Sequence, residues 1–272
     1  MTVITDRTRE FHRLHEAGCF VIPNPWDVGS ARVLVALGFP ALATTSSGFA
    51  WSMGRRDTEV PLDAALAHFR SIVRSVAVPV SADFEGGFAV EPESVAANVE
   101  VAAATGISGL SIEDSTGDPA RPLFDLPLAV ARVRAARRAI EESGTGILLT
   151  GRSEGFIAGR PDLDETIRRL TAYAEAGADC LYAPGILVVE DIAAVVEAVS
   201  PKPVNVLVGA DFTTVALLAD LGVRRISVGG ALARAAWTGF LVAAREIAER
   251  GTFTELRGVV PFDGVDGLFA AE

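Results

Sequence analysis

The sequence predicts a single (β/α)8 barrel of the TIM type. A short apolar run followed by an amphipathic stretch recurs eight times, four of the helical stretches stop at a glycine just before the next strand, and 272 residues is the length of one barrel domain. The strand-like runs occupy residues 19–23, 41–45, 78–83, 109–113, 146–150, 179–183, 203–207 and 224–228. Helical patterns fill 28–37, 62–75, 93–104, 126–142, 164–176, 189–199, 213–221 and 231–249, and the polar N-terminus is also helical in pattern. Strands that alternate with helices favour parallel βαβ units, and eight such units favour closure. Gly38, Gly106, Gly177 and Gly222 fit left-handed helix caps ahead of tight turns at the bottom of the barrel. The rival, a doubly wound open sheet, would carry a Gly-rich phosphate turn after its first strand, where this chain reads Pro23-Asn24-Pro25-Trp26-Asp27. No linker or low-complexity segment interrupts the pattern, so one domain is expected over residues 1–272, ending in a C-terminal helical extension, with 230–272 expected in an oligomer interface.

Composition narrows the chemistry. A formal net charge of −11 argues against nucleic-acid and anionic-membrane partners, since both need a basic face. With no apolar signal core and no run near the eighteen or so residues of a membrane span, a cytoplasmic protein is expected. Cys19 and Cys180 are too few for a disulfide framework and lack metal-ligand spacing. The only lysine is Lys202, in a turn, and His12, His15 and His68 all fall in helical stretches. A Schiff-base lysine, a histidine triad and a His-rich zinc site are thereby without their central residue. Acid–base work falls to carboxylates, Tyr, Arg or water.

In a barrel, polar residues at the C-terminal ends of the strands face the active site. Read in order, those ends carry Asn24 and Asp27, then Thr45, Ser46, Ser47 and Gly48, then Asp83 and Glu85, Glu113 and Asp114, Arg152 and Glu154, Tyr182 and Asn205. The loop after the second strand adds Arg55, Arg56 and Asp57. Clustered carboxylates repel unless neutralised, and Mg²⁺ (or Mn²⁺) suits an all-oxygen set shared with substrate. Asp27 fits a site acid or a helix N-cap equally well, and Asp114 could cap the following loop. The Ser46-Ser47-Gly48 segment is either an anion cradle or an ordinary turn. Arg152 could clamp a substrate carboxylate, pair with Glu154 or Glu113, or do both.

These residues resemble the phosphoenolpyruvate mutase/isocitrate lyase superfamily. The matching pieces are Asn24-Pro25-Trp26-Asp27, Ser46-Ser47-Gly48, Gly54-Arg55-Arg56-Asp57, Pro79-Val80-Ser81-Ala82-Asp83, Gly109-Leu110-Ser111-Ile112-Glu113-Asp114-Ser115, Gly151-Arg152-Ser153-Glu154 and Pro203-Val204-Asn205-Val206-Leu207, in family order from about residue 10 to 250. The resemblance implies a Mg²⁺-dependent enzyme that makes or breaks a C–C or P–C bond beside a 2-oxo acid carboxylate, through an enolate-like species. It implies Asp83 and Glu113 as metal-site carboxylates, Asp57 binding through water, residues 45–48 as the substrate-anion cradle and Arg152 as the carboxylate clamp. Two departures stand out. Ser81 occupies the place of a direct metal-binding Asp, and Glu85, two residues beyond Asp83, is the candidate to compensate. The loop from Ser115 to Asp125 has no Cys, His or Lys, so it lacks the lyase-branch cysteine motif as well as the Lys and Asn of the mutase branch. Gly117 and Pro119 would bound that loop as a lid, with Arg121 reaching a substrate charge, or the loop is a simple surface segment.

The leading expectation is a Mg²⁺-assisted lyase or decarboxylase for a small 2-oxo or 2-hydroxy dicarboxylate, because loss of CO₂ creates an enolate without a protein base. A phosphonopyruvate-type P–C hydrolase or mutase ranks lower, since only Arg121 would neutralise a phosphoryl group. A catalytically weakened, metabolite-binding member is the third reading, motivated by Ser81 and the bare loop. A homo-oligomer, dimer or tetramer, is expected through residues 230–272, where Trp237, Phe240, Phe262 and Phe269 make the chain's end unusually apolar.

Overall fold

The computed structural model describes residues 4–269, so the outermost residues of the 1–272 domain lie outside the described residues. Eight strands form one sheet: β1 (Phe20–Ile22), β2 (Leu42–Ala43), β3 (Val80–Ala82), β4 (Gly109–Glu113), β5 (Leu148–Arg152), β6 (Cys180–Tyr182), β7 (Val204–Leu207) and β8 (Arg225–Ser227). The surrounding helices are α1 (Asp6–Glu16), α2 (Val28–Ala36), α3 (Ser46–Ser52), α4 (Leu62–Ser75), α5 (Pro92–Ala103), α6 (Leu126–Ser143), α7 (Leu163–Glu175), α8 (Val189–Val199), α9 (Val215–Asp220) and α10 (Ala231–Arg250), followed by the short α11 (Phe262–Asp266). All pairings are parallel, in the order β1-β8-β7-β6-β5-β4-β3-β2. The remaining seam is bridged by Ala43 N–H donating to Pro23 O at 3.1 Å, so the fold is a (β/α)8 barrel.

The expected turn chemistry is in place: Gly38, Gly106, Gly177 and Gly222 have φ of 89°, 89°, 104° and 86°. Two local readings need correction. The fifth strand was expected at 146–150 but runs over Leu148–Arg152, because left-handed turns at Gly144 and Gly146 delay its start. The Ser46-Ser47-Gly48 segment is no turn but the first residues of α3, with the Thr45 hydroxyl as N-cap, accepting from Gly48 N–H at 3.4 Å.

Between the strands and the helical ring lies the main apolar core, with fully buried Leu42, Ile72, Val95, Leu110, Ile140, Leu149 and Leu170. A second cluster plugs the N-terminal end of the barrel. There α1 delivers Phe11 against Phe20, Ile22, Leu148 and Cys180, and His15 packs edge-on to Phe11 and Phe20. Strand register sets the interior polar row. Glu113 lies opposite Arg152, Arg152 opposite Tyr182, Tyr182 opposite Asn205, and Asn205 opposite Arg225. Laterally paired residues of parallel strands share a face, so this row points inward together, and barrel shear carries it along the axis.

The last part of the chain is different. Along α10 and beyond, Phe240 is 59% exposed and Phe262 80%, with Trp237, Leu241, Phe253, Val259 and Val260 also exposed. Phe269 instead returns to α2, where its ring lies 5.7 Å from the Arg32 guanidinium and its carbonyl accepts from Arg32. No helix among the described residues is long and apolar enough to cross a membrane.

Candidate active site

The C-terminal ends of the strands surround a cavity of about 170 Å³, lined by Asn24, Thr44–Ser47, Asp57, Ser81, Asp83, Ser111, Arg152, Tyr182, Asn205, Arg225, Ser227 and Gly229–Gly230. Its organising group is Arg152 at the last position of β5. Nη1 donates to Asp83 Oδ1 at 3.2 Å and meets Glu113 Oε2 at 3.1 Å, while Nε donates to Glu154. No partner claims Nη2 among these contacts. Tyr182 lies beneath, its ring 5.1 Å from the guanidinium carbon. Each alternative pairing foreseen for Arg152 is therefore present, and an amino group remains for a ligand.

Neighbouring strands hold Asp83 on the opposite side. Its Oδ2 accepts from Ser46 N–H at 2.9 Å, and its own N–H donates to Thr44 Oγ1 at 3.0 Å. Asn24 ties three strands together: Nδ2 donates to Thr44 O, and Oδ1 accepts from Val228 and Gly229 N–H at 2.9 and 2.8 Å. Glu85 has a left-handed φ of 47°, uncommon for a side chain with Cβ, and its carbonyl accepts from Glu113 N–H at 3.1 Å. Arg132 of α6, 1% exposed, donates to the carbonyls of Glu113, Gly86 and Ala89 and stacks on Phe124. It is a positioning residue that the sequence reading missed, because its sole signal was one more arginine in an Arg-rich helix.

Acid outweighs base here. Asp83, Glu113 and Glu154 share one guanidinium, Arg152, while Asp57 and Glu85 add negative charge nearby. Burial, then the Asp83 and Asp57 charges, raises Glu85 to about 7. Burial raises Glu113 well above the usual carboxylate range against the pull of Arg152, with Glu154 and Asp83 adding to the rise. Asp57 is raised by burial and then by Asp83. Burial disfavours the Arg152 cation, but Glu113 and Glu154 more than reverse this and hold it charged. Such a surplus of carboxylate is the donor chemistry of a hard dication. Yet among the described residues no three Asp, Glu, His or Cys side chains converge as a direct ligand set. A hard dication here would therefore be held largely through water rather than caged by protein.

Several expected site residues are placed elsewhere. Asp114 was expected at the mouth but is 2% exposed and turned outward. It accepts from Glu154 N–H at 2.8 Å, Arg169 Nη1 at 3.1 Å and Tyr173 OH at 2.6 Å. Asp27 caps α2 in a reciprocal capping box with Ser30. Gly48 does not line the cavity, and a Cβ there would meet Thr45 Cγ2 at 2.8 Å and Trp26 Cβ at 2.9 Å, so it is glycine for packing. Arg121 stands on the exposed loop after β4, its side chain 87% exposed and 3.9 Å from Asp118. The cradle is also narrower than expected, because Ser46 N–H serves Asp83 and Gly48 N–H serves Thr45. That leaves Ser47 N–H and the hydroxyls of Thr45, Ser46 and Ser47, those of Thr45 and Ser47 lying 3.1 Å apart. Sequence reading missed Ser111, Ser227 and Arg225 as lining groups, although a lone charge at an inward position of an apolar strand was the available signal for Arg225.

A parallel eight-stranded barrel with an arginine amid carboxylates at the C-terminal strand ends places the chain among the α/β-barrel enzymes. The phosphoenolpyruvate phosphomutase family profile matches residues 11–248, and the chain belongs to the phosphoenolpyruvate mutase/isocitrate lyase superfamily. A Burkholderia cenocepacia J2315 structure named only as a lyase/mutase is 47% identical, covers 97% of this chain and 96% of its own, and superposes with a TM-score of 0.94. Protein Rv1998c of Mycobacterium tuberculosis is 32% identical over 88% of this chain and 89% of its own length. An oxaloacetate decarboxylase of Bradyrhizobium diazoefficiens is 30% identical over 62% of this chain and 59% of its own.

Proposed function

We propose that this chain is a Mg²⁺-assisted carbon–carbon lyase or decarboxylase acting on a small 2-oxo or 2-hydroxy dicarboxylate through an enolate. The observation that carries the reading is Arg152, with Nη2 unbonded at a small polar cavity among more carboxylates than it can neutralise. The likeness to an oxaloacetate decarboxylase agrees with it. Asp57, Asp83, Glu85 and Glu113 would hold the ion, which when bound supplies positive charge against the developing enolate.

The protein's own groups do the rest. Arg152 binds the substrate carboxylate through Nη2, the amino group that its acid partners leave to a ligand. Ser47 N–H and the hydroxyls of Thr45, Ser46 and Ser47 supply further donors. Asn205 and Tyr182 flank the bound anion. Burial raises the Tyr182 hydroxyl to about 12 against the pull of Arg152, so it keeps its proton and can donate it to an enolate carbon. Decarboxylation requires no base to begin. Phosphonate chemistry finds less support, because Arg121, the cation its loop would supply, is exposed and faces Asp118.

The test is isothermal titration of Mg²⁺ with and without oxalate, which mimics the pyruvate enolate, beside the Glu113→Ala variant. Oxalate binding that needs both Mg²⁺ and Glu113 is expected. Binding of carboxylates without any metal dependence would overturn the enolate reading in favour of a metabolite-binding member in which Ser81 has removed the metal site. We propose further that residues 230–272 form the interface of a homo-oligomer, dimer or tetramer, supported by the exposed Trp237, Phe240 and Phe262.

A further inference from the structure

Arg225 is a guanidinium inside the barrel without a carboxylate partner. It is 5% exposed, and its recorded partners among the described residues are all neutral. Nε donates to Asn205 Oδ1 at 2.9 Å, Nη2 to Thr150 Oγ1 at 3.0 Å, and Nη1 to His15 Nε2 at 3.3 Å. The histidine is an acceptor because its Nδ1 proton goes to Phe11 O at 2.7 Å. Burial, then the nearby Arg225 charge, lowers His15 to about 3, which keeps it neutral.

A guanidinium has five N–H groups, so three bonds leave two unassigned. Arg225 lines the same cavity as Arg152, together with the hydroxyl residues Ser81, Ser111 and Ser227. Removing an arginine from water is unfavourable unless a counter-charge offsets it, and hydroxyl and amide dipoles offset only part. The acids at the mouth pair with Arg152, not with Arg225. A ligand is the remaining source of the counter-charge.

We infer that Arg225, with the hydroxyls of Ser81, Ser111 and Ser227, is an inner anion subsite, so that the preferred ligand is a dicarboxylate spanning the cavity from Arg152 to Arg225. This deepens the functional reading above and rests on its assignment of Arg152 to a carboxylate. The cavity of about 170 Å³ holds on the order of ten water-sized groups, which suits a four-carbon dicarboxylate. Ser81 takes on a positive role: an acid at that position would line the same cavity and repel the inner carboxylate.

The experiment is isothermal titration of the full chain with succinate and with pyruvate, in Mg²⁺, for the unaltered protein, Arg225→Gln and Arg225→Lys, with circular dichroism to verify folding. The unaltered protein should prefer succinate. Arg225→Gln should weaken succinate by at least about tenfold and pyruvate by less than about threefold, and Arg225→Lys should recover most of the loss. Equal losses for both ligands would make Arg225 a structural support and overturn the inference, as would unchanged succinate binding. Should Arg225→Gln not fold, Ser81→Ala keeps the charge and removes one lining hydroxyl, and it should weaken succinate selectively. Mg²⁺-dependent oxalate binding without a preference for succinate would sink the inner subsite alone. Arg225-dependent succinate binding without Mg²⁺-dependent oxalate binding would sink the enolate reading alone, and absence of both would sink both.

Discussion

Replacing Asp114 by Asn should destabilise the fold severely while leaving its shape nearly unchanged. The carboxylate accepts from the Tyr173 hydroxyl at 2.6 Å, Glu154 N–H at 2.8 Å and Arg169 Nη1 at 3.1 Å, with 1% of its side chain exposed. Asparagine retains one acceptor oxygen and turns the other into an NH₂ that faces donors. Arg169 keeps Glu165 at 2.7 Å and Phe124 O at 3.0 Å but loses its buried counter-charge. Hydrogen bonds to charged groups are worth about 1.5–3 kcal/mol each, and breaking one side of a buried pair costs about 3–5 kcal/mol. The expected loss is therefore about 3–5 kcal/mol, read from urea unfolding followed by both fluorescence and circular dichroism. Because Glu154 N–H hangs on Asp114 and the Glu154 carboxylate holds Arg152, the folded variant should also bind oxalate more weakly. A loss below about 1 kcal/mol would refute the claim that this network, rather than a metal, is what Asp114 serves.

His15 should contribute a loss of stability as pH falls through the unfolded histidine range, opposite in sign to the raised Glu85. His15 is at about 3 in the folded chain, so between about pH 6.5 and 3 the unfolded chain binds a proton that the folded one does not. At pH 5 this one group should cost about 2 kcal/mol relative to pH 7.5, and His15→Gln should remove that contribution from the urea-midpoint profile. Gly151→Ala should destabilise by about 1–3 kcal/mol in thermal melts, because a Cβ there would meet Tyr173 Cβ at 2.8 Å and Ala178 Cβ at 3.2 Å. Phe240→Asp should shift sedimentation toward the monomer if α10 forms the subunit interface, and an unchanged sedimentation coefficient would place that interface elsewhere.

Much of the barrel was legible because its signals are local. Alternation of apolar runs with 3.6-residue periodicity located all eight strands, and the glycine-ended helices announced their left-handed caps. The site was legible in part. The rule that function gathers at C-terminal strand ends brought Asp83, Arg152, Tyr182, Asn205 and Asp57 to one cavity. It failed for Asp114, the immediate neighbour of Glu113, because successive residues at a strand end turn to opposite sides, and only packing against Arg169 and Tyr173 showed which side Asp114 took. It failed for Gly48 because a close approach by Trp26 is a long-range event with no trace in neighbouring residues.

Composition and periodicity by themselves settled the architecture, the order of its elements and the kinds of side chain available for chemistry, since each depends on residues a few positions apart. Tertiary structure decided which of those side chains share a charge. Arg152 meets Asp83 across 69 positions, and Arg225 meets Thr150 across 75 and His15 across 210. Those distances follow from strand register, barrel shear and the helix that plugs the barrel floor. Whether a buried guanidinium is paired with an acid or waits for a ligand is fixed by that closure, because only closure removes the water that would otherwise screen it.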